Sequence, residues 1–348
     1  MIRPHEVSVV VQGPVVGRPG DAHRNQHTRR CLASIRRHLP EAEIVFSTYT
    51  GADLRGLDYD LVVESPDPGA VVQNDHLGTL NNINRQIVTT RAGILASSRP
   101  LVLKLRSDLE LASPALLEHF GRFRARHPKW QLVEERLIAS TRYARQPRGR
   151  HGYPLHPSDW LFFGKRDDVF CLWDLPLASE PETSRWFAHR PQPPEYSVWS
   201  NLCRYLPEQY LWTSFLRKFG PVTLDHAHDV RAETVELTEL SFANNLVLLE
   251  PRQLGVRFLK YRLRWVDRLS LLSHAQWREL YRQYCDPTAA RDWNLGDPWR
   301  QWTHEVYQTS RRGARRFFAT VVGRRDVAVR AAFGPTATTN SEAIARQS

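Results

Sequence analysis

An α/β fold built on a mostly parallel sheet flanked by helices, with a helical C-terminal extension, is what this sequence predicts. Three observations predict it. β-Branched apolar runs alternate with stretches of helical apolar spacing from Val7 to Leu111. The connections between them are short and rich in Gly, Pro and Asp. Polar residues gather just past the strand ends, where open parallel sheets place their ligands.

Val7–Val11 is a β-branched run closed by Gln12-Gly13-Pro14, which reads as a buried strand entering a turn. Over Asn25–His38, Cys31, Leu32 and Ile35 recur at helical spacing, and Pro40 ends the helix. Glu43–Thr48 and Leu61–Glu64 are the next strands, the second closed by Ser65-Pro66-Asp67-Pro68-Gly69. Leu80–Ser97 reads as a helix with Ile83, Ile87, Ile94 and Leu95 on one face, followed by a strand over Leu101–Leu105. Short strand–helix alternation argues for parallel strands covered on both faces. Further on, Leu137–Tyr143 and Asp159–Gly164 read as strands, Ser179–Pro194 as a loop or flap, Pro207–Phe219 as a helix with proline in its first turn, and Asn245–Leu249 as a late strand. These patterns divide the chain into a domain over 1–250, a helical basic region over 251–333 and a disordered tail over 334–348.

The 348 residues carry a formal charge of +11 and are 41% hydrophobic, enough for a substantial core. Excess Arg suits phosphate or carboxylate partners but does not choose among nucleic acid, anionic lipid and phosphorylated substrates. The four cysteines are far apart and lack zinc-ligand spacing, so reduced thiols in a cytoplasmic protein are expected. No signal peptide or apolar run of about 20 residues is visible. Nor is there a Walker A sequence, a nucleophile elbow or a full Rossmann glycine fingerprint. Arg311–Arg325 mixes arginines with aromatic and aliphatic residues, a pattern suited to peripheral contact with the inner face of an anionic membrane, or to a helix with a solvated basic face.

The most informative stretch is Asn81–Leu111. Its strand ends in Arg106-Ser107-Asp108-Leu109-Glu110. Two carboxylates two residues apart on extended chain point the same way, and their hard oxygens suit Mn²⁺ or Mg²⁺ shared with substrate phosphates. Alternation also places Lys104, Arg106 and Asp108 on one side. The structural alternative is a surface pair capping the next helix before Pro114.

VSVVVQGPV, LPEAEIVFSTYTG, the Asp67-Pro68-Gly69 turn, NNINRQIVTTRAGI, LVLKLRSDLEL, SDWLFFG, PEQYLW and LDHAHD occur in this order over most of residues 7–250. Together they resemble the WavE lipopolysaccharide synthesis family. The run from Asn84 to Asp108 is also similar to GT-A glycosyltransferases, although Glu110 stands where their DxD motif has Asp. The resemblance implies a GT-A-like fold and a nucleotide-sugar-dependent transferase acting on a glycan or lipid-linked glycan acceptor, with Mn²⁺ or Mg²⁺. It implies donor contacts at Gln12, Gly13, Asp67, Asn84, Arg85, Lys104 and Arg106, and metal contacts at Asp108, Glu110 and His226, with Asp229 as alternative to the histidine. An inverting transfer needs a carboxylate base. Glu208, beginning a helix beside aromatics, and Asp159, before WLFFG, are the rival candidates, with Trp160 and Tyr210 bordering the acceptor. Two other readings stay open. One is a non-catalytic partner in a polysaccharide assembly complex. The other, a nucleic-acid binder, is not expected, because no recognition motif accompanies the positive charge.

Overall fold

The computed structural model describes residues 2–17, 25–74, 79–193, 203–259 and 269–290, with helical positions between 299 and 310. Arg311–Arg325 and the expected tail lie outside them. A seven-stranded sheet forms the centre, in the order β10-β8-β9-β6-β1-β2-β3. Its strands are β1 (Val7–Gln12), β2 (Glu43–Tyr49), β3 (Leu61–Ser65), β6 (Leu101–Arg106), β8 (Leu137–Ser140), β9 (Leu161–Lys165) and β10 (Leu246–Leu249). β1 pairs in parallel with β2 and β6, β2 with β3, and β8 with β10. β9 alone runs antiparallel to both its neighbours. Two small antiparallel ribbons complete the strands, β4 (Val71–Asn74) with β5 (Thr79–Asn81), and β7 (Leu109–Leu111) with β11 (Val256–Phe258).

β1 is an inner strand with all six residues buried, Ser8 and Gln12 among them, as expected of a parallel strand between helical layers. α1 (Gln26–His38) presents Cys31, Leu32 and Ile35 to the core. α2 (Ile83–Ala96) does the same with Ile83, Ile87 and Ile94. Leu95, grouped with these by spacing, is instead 55% exposed, because it lies one position round the helix from Ile94. Leu80 is not helical either. It sits on β5 and is exposed, and Asn81 Oδ1 accepts from Ile83 N at 2.9 Å as the helix begins. The strand expected over Leu137–Tyr143 stops at Ser140, and Tyr143 takes a positive φ of 70°.

Gly93 lets α2 approach the sheet closely. A Cβ built there would lie 2.4 Å from Val10 Cγ1 and 3.0 Å from Ser47 Cβ. Both neighbours are buried strand residues with no room to retreat. Gly93→Ala improves helix propensity by about 1 kcal/mol but overpacks this contact by about 1–3 kcal/mol. The expected result is a net loss of stability in urea denaturation. A variant as stable as the parent would show that the helix can lift without cost.

The remaining helices are α3 (Arg166–Trp173), α4 (Pro207–Arg217), α5 (Ala232–Asn245), α6 (Pro251–Leu254) and α7 (His274–Tyr284). Past residue 250 the chain continues on the same core. β11 extends β7, and Trp277 of α7 is fully buried within the main apolar cluster. No helix among the described residues is long and apolar enough to cross a membrane.

Candidate functional site

The carboxyl ends of β1, β2 and β6 open onto two clefts that share Pro14 and Tyr49. One, of about 460 Å³, is lined by Gln12, Gly13, Asp67, Arg85, Arg106 and Asp108 among others. The second, of about 1020 Å³, runs along Thr48–Asp53 and Arg55. This is where the topology leaves a crevice: the strands stop, and the chain leaves β1 through Gly13 at φ 117°, a conformation natural to glycine alone.

Two guanidinium–carboxylate forks face the smaller cleft. Arg85 Nε and Nη2 donate to Asp67 Oδ1 and Oδ2 at 2.8 and 2.6 Å, while its Nη1 donates to Asn82 Oδ1 at 2.9 Å. The fork raises the Arg85 pKa above its ordinary value and lowers that of Asp67. Arg106 Nε and Nη2 donate to Asp108 Oδ1 and Oδ2 at 3.1 and 2.8 Å, and its guanidinium lies 4.4 Å over the Trp160 ring. Gln12 forms the back wall, its Oε1 accepting from Thr89 at 3.0 Å.

Beyond Arg106 lies a second group of acids. Asp159 Oδ2 accepts from Gln86 Nε2 at 2.6 Å, and Gln86 also lines the small cleft. Asp159 Oδ1 is buried with no partner among the described residues. Glu208 at the start of α4 has a side chain only 15% exposed, and its Oε2 lies 3.5 Å from His156 Nε2. Burial, reinforced by the Asp159 charge, pushes Glu208 up to about 8, against the opposing pull of Arg145 and Arg106. Burial and the Arg145 charge push His156 down to about 3, so its imidazole is neutral at physiological pH. A carboxyl that keeps its proton to about 8 is poised for proton transfer near neutrality.

Several expected contacts fall elsewhere. Lys104 shares a strand face with Arg106 but sits one pleat back. It is fully buried, donates to the Asp159 carbonyl and lies 4.6 Å from the Trp173 ring centre. Burial pushes its ammonium down to about 7, and its role is to hold the Asp159 backbone rather than a donor. Asn84 faces away from the cleft and pairs with both backbone groups of Ala178, at 2.7 and 2.9 Å. The neighbour that reaches the cleft is Asn82. Trp160 is 5% exposed beneath Arg106, Tyr143 and Phe258, and Tyr210 is 7% exposed with its hydroxyl donating to the Pro176 carbonyl at 3.0 Å. Neither ring presents a face to an acceptor, because each buries its apolar area within the protein, and Tyr210 satisfies its polar tip internally.

The residues do not fit a cation held by protein ligands. Ser107 and Asp108 form a turn, so the alternation expected through Glu110 is broken. Glu110 lies on β7 and accepts from Arg30 Nη2 at 2.7 Å. His226 sits in a loop whose Asp229 is forked by Arg231 at 2.7 and 2.6 Å, and its Nδ1 accepts from His228 N at 3.2 Å. Among the described residues no group of three or more His, Cys, Asp or Glu side chains is arranged to hold a metal. Asp108 remains, and both its oxygens already meet a guanidinium.

The residues that spacing did not single out are Tyr49, Asn82, Gln86, Arg145 and His156. The signals available were faint: Gln86 follows Arg85 directly, and His156 stands three positions before Asp159 in LHPSDW.

A mostly parallel sheet flanked by helices, whose carboxyl edge carries a polar cleft lined by two guanidinium–carboxylate forks, defines an α/β protein with its candidate site at the strand ends. More particularly, this chain belongs to the WavE lipopolysaccharide synthesis family, whose model matches residues 7–306. No curated protein matches it. Among solved structures it is similar to 4-diphosphocytidyl-2C-methyl-D-erythritol synthase from Anaerococcus prevotii DSM 20548, at 10% identity over 67% of this chain and 97% of that one, with a TM-score of 0.30. A likeness that weak carries no argument about function.

Proposed function

We propose that this chain is a GT-A-like glycosyltransferase, moving a sugar from a nucleotide-sugar donor to a lipopolysaccharide, capsule or other surface-glycan acceptor. One observation carries the reading: Arg85 and Arg106 converge on a cleft at the strand ends, beside the Glu208–Asp159 acid pair. Family membership in lipopolysaccharide synthesis supports the acceptor class. The wider cleft along Thr48–Asp53 has room for a nucleoside, and the guanidiniums suit its diphosphate.

In the transfer, the bond between the anomeric carbon and the diphosphate oxygen breaks, and its electron pair leaves with the diphosphate. The acceptor oxygen forms the new bond to that carbon. In an inverting reaction the hydroxyl proton passes to a carboxylate, for which Glu208 is the candidate. Asp159, with an unpartnered buried oxygen, orients the hydroxyl or takes the proton in its place. A retaining transfer needs no such base.

The test is a thermal-shift screen of the full chain against UDP-, GDP-, CMP- and dTDP-sugars. A ligand present at about 100 times its Kd stabilises the folded state by about 2.7 kcal/mol. The expected result is a rise in Tm with donors of one base only. A well-folded sample that responds to none would favour the non-catalytic partner.

A further inference from the structure

Resting on the transferase reading, the geometry points to Arg106 and Arg85, rather than a divalent cation on Asp108, as the charges that receive the departing diphosphate. Three observations support it. First, Asp108 has its two oxygens in a fork with Arg106, at 3.1 and 2.8 Å. A cation binding there would share both oxygens with the guanidinium, whose positive charge opposes it.

Second, the other acid of the motif is committed. Glu110 is bonded to Arg30 from α1, on a strand that belongs to a different ribbon. The cleft therefore lacks a second uncommitted carboxylate at the position where the motif would supply one.

Third, both arginines are held in place before any ligand arrives. Arg106 is fixed by Asp108 on one side and by the Trp160 ring at 4.4 Å on the other. Arg85 is fixed by Asp67 and Asn82. Both arginines line the cleft, so their charges lie beside any anion that enters it. Charge that is positioned in advance stabilises a developing anion without reorganisation during the reaction. Asp67 and Asp108 thus act as positioning residues for the arginines, and Arg106 does the electrostatic work usually given to a metal.

The experiment measures binding, not turnover. UDP, GDP, CDP and dTDP are titrated into the full chain by calorimetry, in EDTA and again in excess Mn²⁺ or Mg²⁺. One nucleotide is expected to bind with a Kd that changes less than about threefold between these conditions. Arg106→Ala should weaken it by about 10–100-fold in both, the worth of a lost charge-assisted hydrogen bond pair. Arg106→Lys, which keeps the charge without the fork, should fall between, and far-UV circular dichroism checks that each variant is folded. Asp108→Asn should cost a similar few-fold with or without metal. Binding that appears only with Mn²⁺ or Mg²⁺, and is lost in EDTA and in Asp108→Asn alike, would overturn the inference while leaving the transferase reading intact. No binding of any nucleotide under any condition would overturn both.

Discussion

Glu208→Gln is expected to lower kcat by about 10²–10⁴-fold, the usual contribution of a positioned general base, with donor affinity little changed. In the parent, kcat/KM should rise with pH and level off above about 8, as the buried carboxyl loses its proton. Burial sets this value first; the Asp159 charge raises it further, and Arg145 and Arg106 lower it, with neutral His156 beside the acid. The variant's residual rate should lose that pH dependence. An unchanged kcat in a folded variant would point to a retaining transfer, or to Asp159 as the proton acceptor.

The same carboxyl has a stability signature with a definite sign. Unfolded, it ionises near its ordinary 4.5; folded, it holds its proton to about 8. Between these values the folded state binds more protons, so stability falls as pH rises. Lys104 has the opposite effect from about 7 upward, because its folded ammonium loses its proton early and the unfolded chain binds more. Comparing Glu208→Gln with the parent at each pH isolates the Glu208 contribution. The variant should gain stability relative to the parent between pH 5 and 8, and denaturation midpoints that stay parallel would sink the assignment of a raised pKa.

Trp277→Ala should cost about 3–5 kcal/mol in chemical denaturation, the range for deleting a large buried aromatic. Trp277 is fully buried. Its Nε1 donates to the Phe242 carbonyl at 3.3 Å, and its ring meets Phe123 edge-on at 4.8 Å. The substitution therefore opens a cavity between α5 and α7, while the Phe242 carbonyl keeps its bond from Leu246 N. A loss near zero, or a separate early transition, would mean that α7 is an independent appendage. A single transition at lower denaturant would place it in the same cooperative unit as the sheet.

How much of this was legible in the sequence depends on the range of the interaction. The first sheet strands and α1 were readable from Val7 to Leu105 because apolar periodicity is local, and because a strand covered on both faces must be apolar throughout. The cleft was readable too, since ligands gather at strand ends whatever the side chains: Gln12, Gly13, Asp67, Arg85, Arg106 and Asp108 all line it. Strand alternation put Lys104 beside Arg106, but it has no term for depth, and only the packing of α3 shows that Trp173 seals the lysine in. It also extended one strand through a turn at Ser107, which sent Glu110 to Arg30 rather than to Asp108.

By itself, then, the sequence determined β1, α1, β2, β3, β6 and the body of α2, though not the short ribbons β4, β5 and β7, and that a polar crevice sits at the strands' carboxyl ends. These follow from short-range sterics and from the burial of apolar faces. Tertiary structure alone decided the partners of the charged groups. Asp159, His156 and Glu208 are separated by up to 52 positions yet meet in one buried group, and Asp108 is matched with an arginine rather than left open. Such pairings depend on distances and desolvation set by elements far apart in the chain, and no local pattern encodes them.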